Sequence, residues 1–289
     1  MHTTTSIGII GYGIVGSALA HGFSGKKRYT IRYYDKFQNT ESLKSVVEKS
    51  EFIFICLPTP MLADESGIDL SIITETVAKI TPLTNGTNKI VTIKSTVVPG
   101  TTAAFQKQYP ETTFAFNPEF LTEANYLEDF LSADRTIVGT LSNEASRRLV
   151  SLYRERFPET KIIQTDPTSA EMVKYMANAY LAVKVIFANQ MFELSNNLGV
   201  SYPEIKKMVV ADKRIYDSHL DVTTERGFGG KCFPKDLVAL LGLGRELGLT
   251  LPLLETTWTI NKQIRKIRDW EEIPFAVSSH NVQQSQPSH

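Results

Sequence analysis

The chain has 289 residues, 42% of them hydrophobic, which is enough for two modest domains that each bury a core. Lysine plus arginine and aspartate plus glutamate number 31 each, a balance that excludes a strong global field for nucleic acid or for an acidic membrane surface. Two cysteines are too few for a secreted disulfide framework, and no apolar run reaches the ~18–20 residues of a membrane span. We therefore expect a cytoplasmic protein that binds a small molecule and holds no metal.

Short apolar runs alternate with helical patterns from Ser6 to about Thr165. This alternation is typical of a doubly wound parallel sheet whose crossovers are helices. We therefore predict a Rossmann-type α/β domain over residues 1–166. The predicted strands are residues 7–10, 29–34, 52–57, 89–93, 112–116, 135–138 and 161–164.

A glycine-rich turn joins the first predicted strand to the first predicted helix. Its glycines are Gly11, Gly13 and Gly16. This spacing allows a tight turn and a close approach of the backbone to a pyrophosphate at the helix N-terminus. Asp35 follows the second strand, 19 residues after Gly16, where a carboxylate accepts from ribose hydroxyls and repels a 2′-phosphate. The turn predicts NAD rather than NADP, although Arg32 and Lys36 lie nearby and weaken the exclusion of NADP.

Three polar segments follow later strands, where ligands bind in doubly wound sheets. They are residues 56–60, 94–100 and 117–123. Prolines and hydroxyls after a strand are often only turn chemistry. That explanation fits Glu119 and Glu123 less well, because carboxylates beside apolar residues at a ligand edge are costly unless solvated or used.

A long helix is predicted to begin the second domain, residues 167–270. The pattern from Thr168 to Glu171 is typical of a capping box, and no glycine or proline follows until Gly199. About 30 residues give a helix of ~45 Å. It is apolar on most faces, which predicts the core of an all-α domain with surface left over for a homodimer. Shorter helices are predicted at 202–210, 235–247 and 253–267, and a disordered tail at 271–289.

Lys174 and Asn178 lie four residues apart and share a face of this helix. A lysine in an apolar stretch is often a surface residue whose ammonium reaches solvent. The alternative is that the ammonium and the amide converge on one substrate oxygen and stabilise developing negative charge.

The segment 226–236 combines glycines, a cysteine and charged residues. Glycine before and a helical pattern after place Cys232 near a helix N-terminus, beside Lys231 and Lys235, which favours a nucleophilic thiolate. Asp236, four residues on, can handle a proton or a water. The alternative is that Cys232 is a small buried filler, as we expect of Cys56.

Taken together, these motifs resemble the UDP-glucose 6-dehydrogenase family, within the wider nucleotide-sugar dehydrogenases. The resemblance covers residues 7 to about 262, and it rests on the order of the motifs more than on any single one. The motifs are residues 11–16, 57–60, 95–97, 117–123, 174–178, 212–215 and 227–236.

The resemblance implies a four-electron oxidation of a sugar alcohol to a carboxylate with two NAD, within nucleotide-sugar metabolism and polysaccharide biosynthesis. Cys232 would carry a thiohemiacetal and then a thioester, and Glu119 would be the base for hydrolysis. Oxyanion and water contacts would come from Lys174, Asn178, Thr96 and Asp236. Cofactor contacts would come from Gly11, Gly13, Val15, Gly16, Asp35, Thr59, Thr96, Glu123 and Lys235. Substrate contacts would come from Glu119, Phe120, Leu121, Glu123, Lys174, Asn178, residues 221–225, Gly229 and Arg214, the last reaching a neighbouring subunit.

Family members continue into a second α/β domain that contacts the nucleotide of the sugar substrate. After Asn261 and Lys262 we expect no room for that UDP-binding domain in this chain. Two alternatives to an active dehydrogenase on UDP-glucose therefore stay open. One is a non-catalytic or partner-dependent NAD-binding module, and the other is a two-electron β-hydroxyacid dehydrogenase, which needs no cysteine.

Overall fold

The computed structural model describes residues 4–25 and 28–278. The strands are β1 Thr5–Ile10, β2 Tyr29–Tyr34, β3 Phe52–Ile55, β4 Ile90–Ile93, β5 Thr113–Phe116, β6 Arg135–Gly139 and β7 Lys161–Thr165. The helices are α1 Ile14–Phe23, α2 Leu43–Glu48, α3 Ser71–Thr84, α4 Thr101–Gln108, α5 Tyr126–Leu131, α6 Asn143–Arg156, α7 Pro167–Asn197, α8 Tyr202–Val209, α9 Phe233–Glu246 and α10 Pro252–Ile264. The seven predicted strands and the long helix are all confirmed.

The strands form one sheet in the order β2-β1-β3-β4-β5-β6-β7. The sheet is parallel, as predicted, except at one pair: β6 runs antiparallel to β5, with Phe116 opposite Gly139. The connecting α5 has six residues and is about 9 Å long. Its Phe130 stays near the carboxyl end of β4, where the Lys94 ammonium lies 5.6 Å from the ring centroid. The chain therefore does not return to the amino end of β5 before β6 begins.

Both faces of the sheet are covered by apolar side chains. All four residues of β3 are buried. Phe54 belongs to the apolar cluster on one face, whereas Ile53 and Ile55 belong to the cluster on the other. This alternation explains why the central strands are continuous apolar runs, as is usual in a sheet covered on both sides.

The chain divides into two compact units: Met1–Thr59 with Leu70–Lys174, and Pro60–Asp69 with Tyr175–His289. Residues 60–69 thus belong with the helical unit, although we expected them in the first domain. Their Glu65 side chain accepts from Trp258 Nε1 at 2.9 Å and from Lys262 Nζ at 2.7 Å. These contacts span more than 190 residues of sequence, so no local pattern predicts them.

The start of α7 differs from the predicted capping box. The Asp166 carboxylate accepts from Ser169 N at 2.9 Å and so satisfies the first turn. Glu171 instead accepts from the backbone amides of Gly100 and Thr102, at 2.6 and 2.8 Å, around the start of α4. Burial raises the pKa of Glu171 to about 7. Glu171, which the pattern assigned as a cap of its own helix, therefore accepts from backbone amides at the start of α4 instead.

The expectation of disorder from residue 271 is not met over residues 271–278. A 3₁₀ helix, Asp269–Glu271, follows α10, and its Trp270 is almost fully buried. Val277 pairs with Met61, and Ser278 N donates to Met61 O at 2.7 Å. Burial of this tryptophan explains the order, while the rest of the predicted tail, residues 279–289, lies outside the described residues. Over residues 4–25 and 28–278, no helix is long and apolar enough to cross a membrane.

Candidate active-site residues

The glycine-rich turn has the geometry of a phosphate cradle. Gly11 adopts a left-handed φ of +93°, and a Cβ there would lie 2.4 Å from Cys56 O. A Cβ at Gly16 would lie 2.0 Å from Gly11 O, so helix and turn pack too closely for any other residue. Gly13 is the N-cap of α1, and the first turn has neither a side-chain cap nor an acidic residue. The amide end of α1 thus retains its partial positive charge for an anion.

Asp35 stands just beyond the carboxyl end of β2. Its carboxylate accepts from Tyr12 N, within the glycine-rich turn, at 2.8 Å and from Phe37 N at 2.9 Å. Arg32, which we expected to weaken discrimination against NADP, donates to Glu41 at 3.0 Å. Its charge is therefore offset locally, and the residues of the turn fit a dinucleotide without a 2′-phosphate.

The loops after β3 and β4 are joined by side-chain hydroxyls. Thr59 Oγ1 donates to Thr96 O at 2.8 Å. Leu57 N donates to Ser95 Oγ at 2.8 Å. These two bonds hold Thr59 and Thr96 together beside the sheet, as expected for segments that follow adjacent parallel strands.

Lys174 and Glu119 form a buried ion pair. Lys174 Nζ lies 2.8 Å from Glu119 Oε1, and the two side chains are 4% and 10% exposed. Glu119 Oε2 also accepts from Leu121 N at 2.8 Å. Burial acts to raise the pKa of Glu119, but the Lys174 ammonium, the Leu121 amide and the charge of Lys94 together outweigh it and hold this pKa below its ordinary value. Of the two alternatives for Lys174, the surface lysine whose ammonium reaches solvent is therefore excluded, and the pair supplies an ammonium and an ionised carboxylate side by side.

A second buried ammonium lies next to this pair and was missed by the sequence analysis. Lys94 Nζ donates to Asn117 Oδ1 at 2.8 Å, and the Tyr153 hydroxyl donates to the same oxygen at 2.5 Å. Burial lowers the pKa of Lys94 to about 8, and burial also raises the pKa of the Cys56 thiol to about 12. The only signal in the sequence was a lysine placed directly after an apolar strand.

A cavity of about 440 Å³ in the first unit is lined by several predicted substrate contacts. Glu119, Phe120 and Leu121 line it, together with Lys94. The Arg135 guanidinium stacks on Phe120, 4.3 Å from the ring centroid. Glu123 is exposed and does not contribute to the lining.

Cys232 occupies the N-cap position of α9. It is partly exposed, as Cys56 also is, so its place at the helix N-terminus and not its exposure distinguishes it. The partial positive charge at the start of a helix favours the thiolate form of a cysteine there. Lys235 adds less than expected, because its ammonium contacts the Asp236 carboxylate within hydrogen-bonding distance.

Asp236 lies in the first turn of α9 and is 1% exposed. Asn178 Nδ2 donates to Asp236 Oδ2 at 2.6 Å. Lys235 contacts the other carboxylate oxygen, Oδ1. The helical unit therefore holds the predicted Asn178, Lys235 and Asp236 as one polar group. Lys235 and Asp236 lie three and four residues after Cys232.

The remaining predicted residues of the helical unit differ in their surroundings. The Arg214 side chain is 87% exposed and pairs with Asp212 at 2.6 Å. Gly229 packs so closely on Asp269 that a Cβ would lie 2.1 Å from its carboxylate. Phe228 N donates to Asn261 Oδ1 at 2.7 Å, and Asn261 Nδ2 donates back to Phe228 O at 3.0 Å. Asn261 thus holds the loop before Cys232, a role that no local spacing predicted.

Two family models match the chain in succession. The NAD binding domain of the UDP-glucose/GDP-mannose dehydrogenase family matches residues 26–157. The central domain of the same family matches residues 168–263. The first match includes Asp35, Lys94 and Glu119, and the second includes Lys174, Asn178 and Cys232, whereas the glycine-rich turn lies before residue 26.

Individual relatives agree with these matches. The UDP-glucose 6-dehydrogenase of Rickettsia bellii is 33% identical over 241 residues, which cover 82% of this chain and 52% of that protein. That of Bacillus subtilis is 31% identical, covering 78% of this chain and 49% of that protein. The structure of a UDP-glucose dehydrogenase from Pyrobaculum islandicum superposes with a TM-score of 0.82 at 28% identity, covering 91% of this chain and 69% of that chain. The chain spans about half the length of the curated relatives that it matches. It belongs to the UDP-glucose/GDP-mannose dehydrogenase family and carries the family's NAD-binding and central domains.

Proposed function

We propose that the chain is an NAD-dependent nucleotide-sugar 6-dehydrogenase that oxidises UDP-glucose to UDP-glucuronate. Relatives at 31–33% identity carry the name UDP-glucose 6-dehydrogenase. The observation that carries the proposal is Cys232 at the N-terminus of α9, beside the buried Asn178–Asp236 pair. A two-electron alcohol dehydrogenase has no use for such a cysteine.

NAD, when bound, supplies the hydride acceptor. The glycine-rich turn and the amide end of α1 hold the pyrophosphate, and Asp35 accepts from the ribose hydroxyls. The Arg32–Glu41 ion pair supports NAD over NADP, because Glu41 offsets the Arg32 charge that would otherwise attract a 2′-phosphate. Further contacts, carried over from the family, fall on Val15, Thr59, Thr96, Glu123 and Lys235.

Cys232 holds the sugar covalently between the two oxidation stages. The primary alcohol first loses two electrons and becomes an aldehyde. The Cys232 thiolate adds to the aldehyde carbon and gives a thiohemiacetal, whose loss of a second pair of electrons leaves a thioester. Water then cleaves the carbon–sulfur bond, which releases the carboxylate and returns the thiol. Two NAD are reduced for each sugar.

The other buried groups stabilise the charges that form in these steps and transfer protons. Lys174 stabilises the oxyanions that form at the reacting carbon, since a desolvated ammonium is most effective where charge develops. Glu119, kept ionised by Lys174, takes the proton of the hydrolytic water. Asn178, Thr96 and Asp236 orient that water. The cavity beside Glu119 accommodates part of the substrate through Phe120 and Leu121, and Gly229 and Arg214 are further substrate contacts, Arg214 for a neighbouring subunit.

The chain assembles as a homodimer through α7. This 31-residue helix has four large apolar residues at helical spacing on one side, and each is more than half exposed. They are Met176, Tyr180, Phe187 and Leu194. We define these four as the α7 stripe. An exposed apolar stripe of this length needs a cover, and a second copy of the same helix supplies one with matching length and character.

The two cysteines of the chain provide a matched test of this function. Cys232→Ala removes the nucleophile, whereas Cys56→Ala removes a thiol whose pKa burial raises to about 12. We expect Cys232→Ala to abolish UDP-glucuronate formation, a loss of at least about 10³-fold, and Cys56→Ala to retain activity. Formation of NADH and of the acid is followed with UDP-glucose, GDP-mannose and a small hydroxyacid as substrates.

Two outcomes contradict the proposal. Full turnover of a small hydroxyacid by Cys232→Ala would establish a two-electron dehydrogenase. Absence of NADH formation with every nucleotide sugar, by a chain that still binds NAD, would establish a non-catalytic module.

A further inference from the structure

Residues after α10 contact the backbone of the loop that leads to Cys232. We call residues 265–269 the clamp segment and residues 225–231 the nucleophile loop. Lys266 N donates to Glu225 O at 3.1 Å, and Arg265 Nη1 donates to Arg226 O at 3.0 Å. Gly230 N donates to Asp269 Oδ2 at 3.1 Å. The clamp segment thus makes hydrogen bonds to the nucleophile loop at three backbone positions of the loop.

Asp269 makes the contact nearest to Cys232. Its Oδ2 accepts from Gly230 N, two residues before the cysteine, and also from Arg265 Nη2 at 3.1 Å. The other oxygen, Oδ1, is buried and takes no hydrogen bond from the described part of the chain. At Gly229, a Cβ would lie 2.1 Å from this Oδ1. The carboxylate therefore sits directly on the backbone of the loop.

The loop needs an external constraint, because glycines occupy three of its positions. They are Gly227, Gly229 and Gly230. Gly227 and Gly230 have left-handed φ values of +50° and +72°. Glycine loses more conformational freedom on ordering than any other residue, so such a loop is not held by its own backbone preferences.

The clamp segment is itself anchored to the apolar core of its unit. Trp270, directly after Asp269, is 2% exposed and packs on Trp258 with ring centroids 5.4 Å apart. Further along, Met61 N donates to Ala276 O at 2.8 Å. Asp269 is therefore held in place by the packing of the next residue, Trp270, in the core of its unit.

We propose that Asp269 is a positioning residue that holds the nucleophile loop and so fixes Cys232 at the start of α9. Its importance for catalysis rests on the function proposed above, whereas its effect on the cysteine does not. The clamp segment lies beyond residues 168–263, which the family's central domain model matches. It is therefore a positioning device additional to the residues within that match.

The test measures the reactivity of Cys232 in a Cys56→Ala background, so that one thiol reports. Asp269→Ala removes both contacts, Asp269→Asn keeps one acceptor oxygen, and Glu271→Gln is the matched control. Glu271 belongs to the same 3₁₀ helix but is largely exposed and pairs with Arg268 at 3.5 Å. Alkylation by iodoacetamide is timed at pH 9.5, above the ordinary cysteine pKa of about 8.5, so that thiol ionisation does not dominate the rate.

We expect Asp269→Ala to raise the alkylation rate about tenfold, the factor set by one charge-assisted hydrogen bond. Asp269→Asn should restore most of the protection, and Glu271→Gln should alkylate at the parent rate. In turnover, Asp269→Ala should lower kcat and leave the KM for NAD unchanged.

An alkylation rate in folded Asp269→Ala within twofold of the parent would overturn the proposal. If Asp269→Ala does not fold, Asp269→Ser, which also lacks the carboxylate, decides in the same way: an alkylation rate within twofold of the parent together with an unchanged kcat would overturn it. If the parent chain forms no NADH with any sugar, the proposed function fails, and the alkylation rates still decide whether Asp269 positions Cys232.

Discussion

The ion pair between Lys174 and Glu119 is better explained by chemistry than by stability. Burying two charges costs about as much as their attraction returns, and apolar replacements of such pairs are often more stable. An ammonium and a carboxylate 2.8 Å apart beside a cavity are therefore costly to keep without a use. In the function proposed above, oxyanion stabilisation by Lys174 and proton abstraction by Glu119 would supply that use.

The same pair predicts a pH dependence of stability that one variant removes. The pKa of Glu119 lies below its ordinary value in the folded chain. The stability that the ionised Glu119 carboxylate gives to the fold is present above the pKa of this group in the unfolded chain. It is lost as pH falls through the pKa of this group in the folded chain. Glu119→Gln leaves the Lys174 ammonium without this carboxylate, so we expect the free energy of unfolding to fall by about 3–5 kcal/mol at pH 7.

Denaturant unfolding at pH 7 and at pH 3.5 checks this prediction. The difference in the free energy of unfolding between the parent chain and Glu119→Gln should be smaller at pH 3.5 than at pH 7. Glu123→Gln is the control for stability, because Glu123 lies in the same segment and is exposed. A gap that is equal at the two pH values would show that the Glu119 charge does not stabilise the fold.

At the residue scale, the sequence predicts the groups whose neighbours in sequence are unusual and misses those that stand in ordinary surroundings. Lys174, Cys232 and Asp236 stand out because of the residues beside them, although the partners of Lys174 and Asp236 are distant. Lys94 and Asp269 do not stand out, since no local pattern marks them and their partners Asn117 and Gly230 lie 23 and 39 residues away. Only the folded chain brings such pairs together.

At the scale of elements, hydrophobic periodicity was sufficient for the seven strands and for α7. It was not sufficient for the direction of β6. A parallel return needs a connection long enough to cross the sheet, and the number of residues between β5 and β6 does not reveal that only six of them are helical. The capping-box prediction was wrong for a similar reason, because the sequence pattern does not reveal which backbone amides donate to Glu171.

The α7 stripe predicts dimer formation, which charges on that stripe should prevent. Tyr180→Glu with Phe187→Glu places two carboxylates in the proposed interface, and we expect the dissociation constant to rise at least about a hundredfold. Asn196→Glu is the control, since position 196 lies on the opposite side of the helix at 100° per residue.

Sedimentation velocity over a range of protein concentrations reports the assembly directly. The parent chain and Asn196→Glu should sediment as dimers, and the double variant should sediment as a monomer. A parent chain that is monomeric at tens of micromolar, or a double variant that remains a dimer, would contradict assembly through α7.

At the scale of the whole molecule, the chain combines an NAD-binding domain and a central domain of one family. The order of the motifs along the sequence was enough to predict that combination. Residues 60–69 were misplaced for a physical reason: Glu65 is bound by Trp258 and Lys262, and such long-range contacts leave no periodic signal. The chain spans about half the length of its curated relatives.

The ratio of NADH formed to UDP-glucose consumed tests the central claim most directly. With limiting UDP-glucose and excess NAD, a four-electron oxidation that keeps the sugar on Cys232 between stages gives about two NADH per sugar and no free aldehyde. We predict that ratio for the parent chain. A ratio of about one, or accumulation of the aldehyde by the parent chain, would contradict the account.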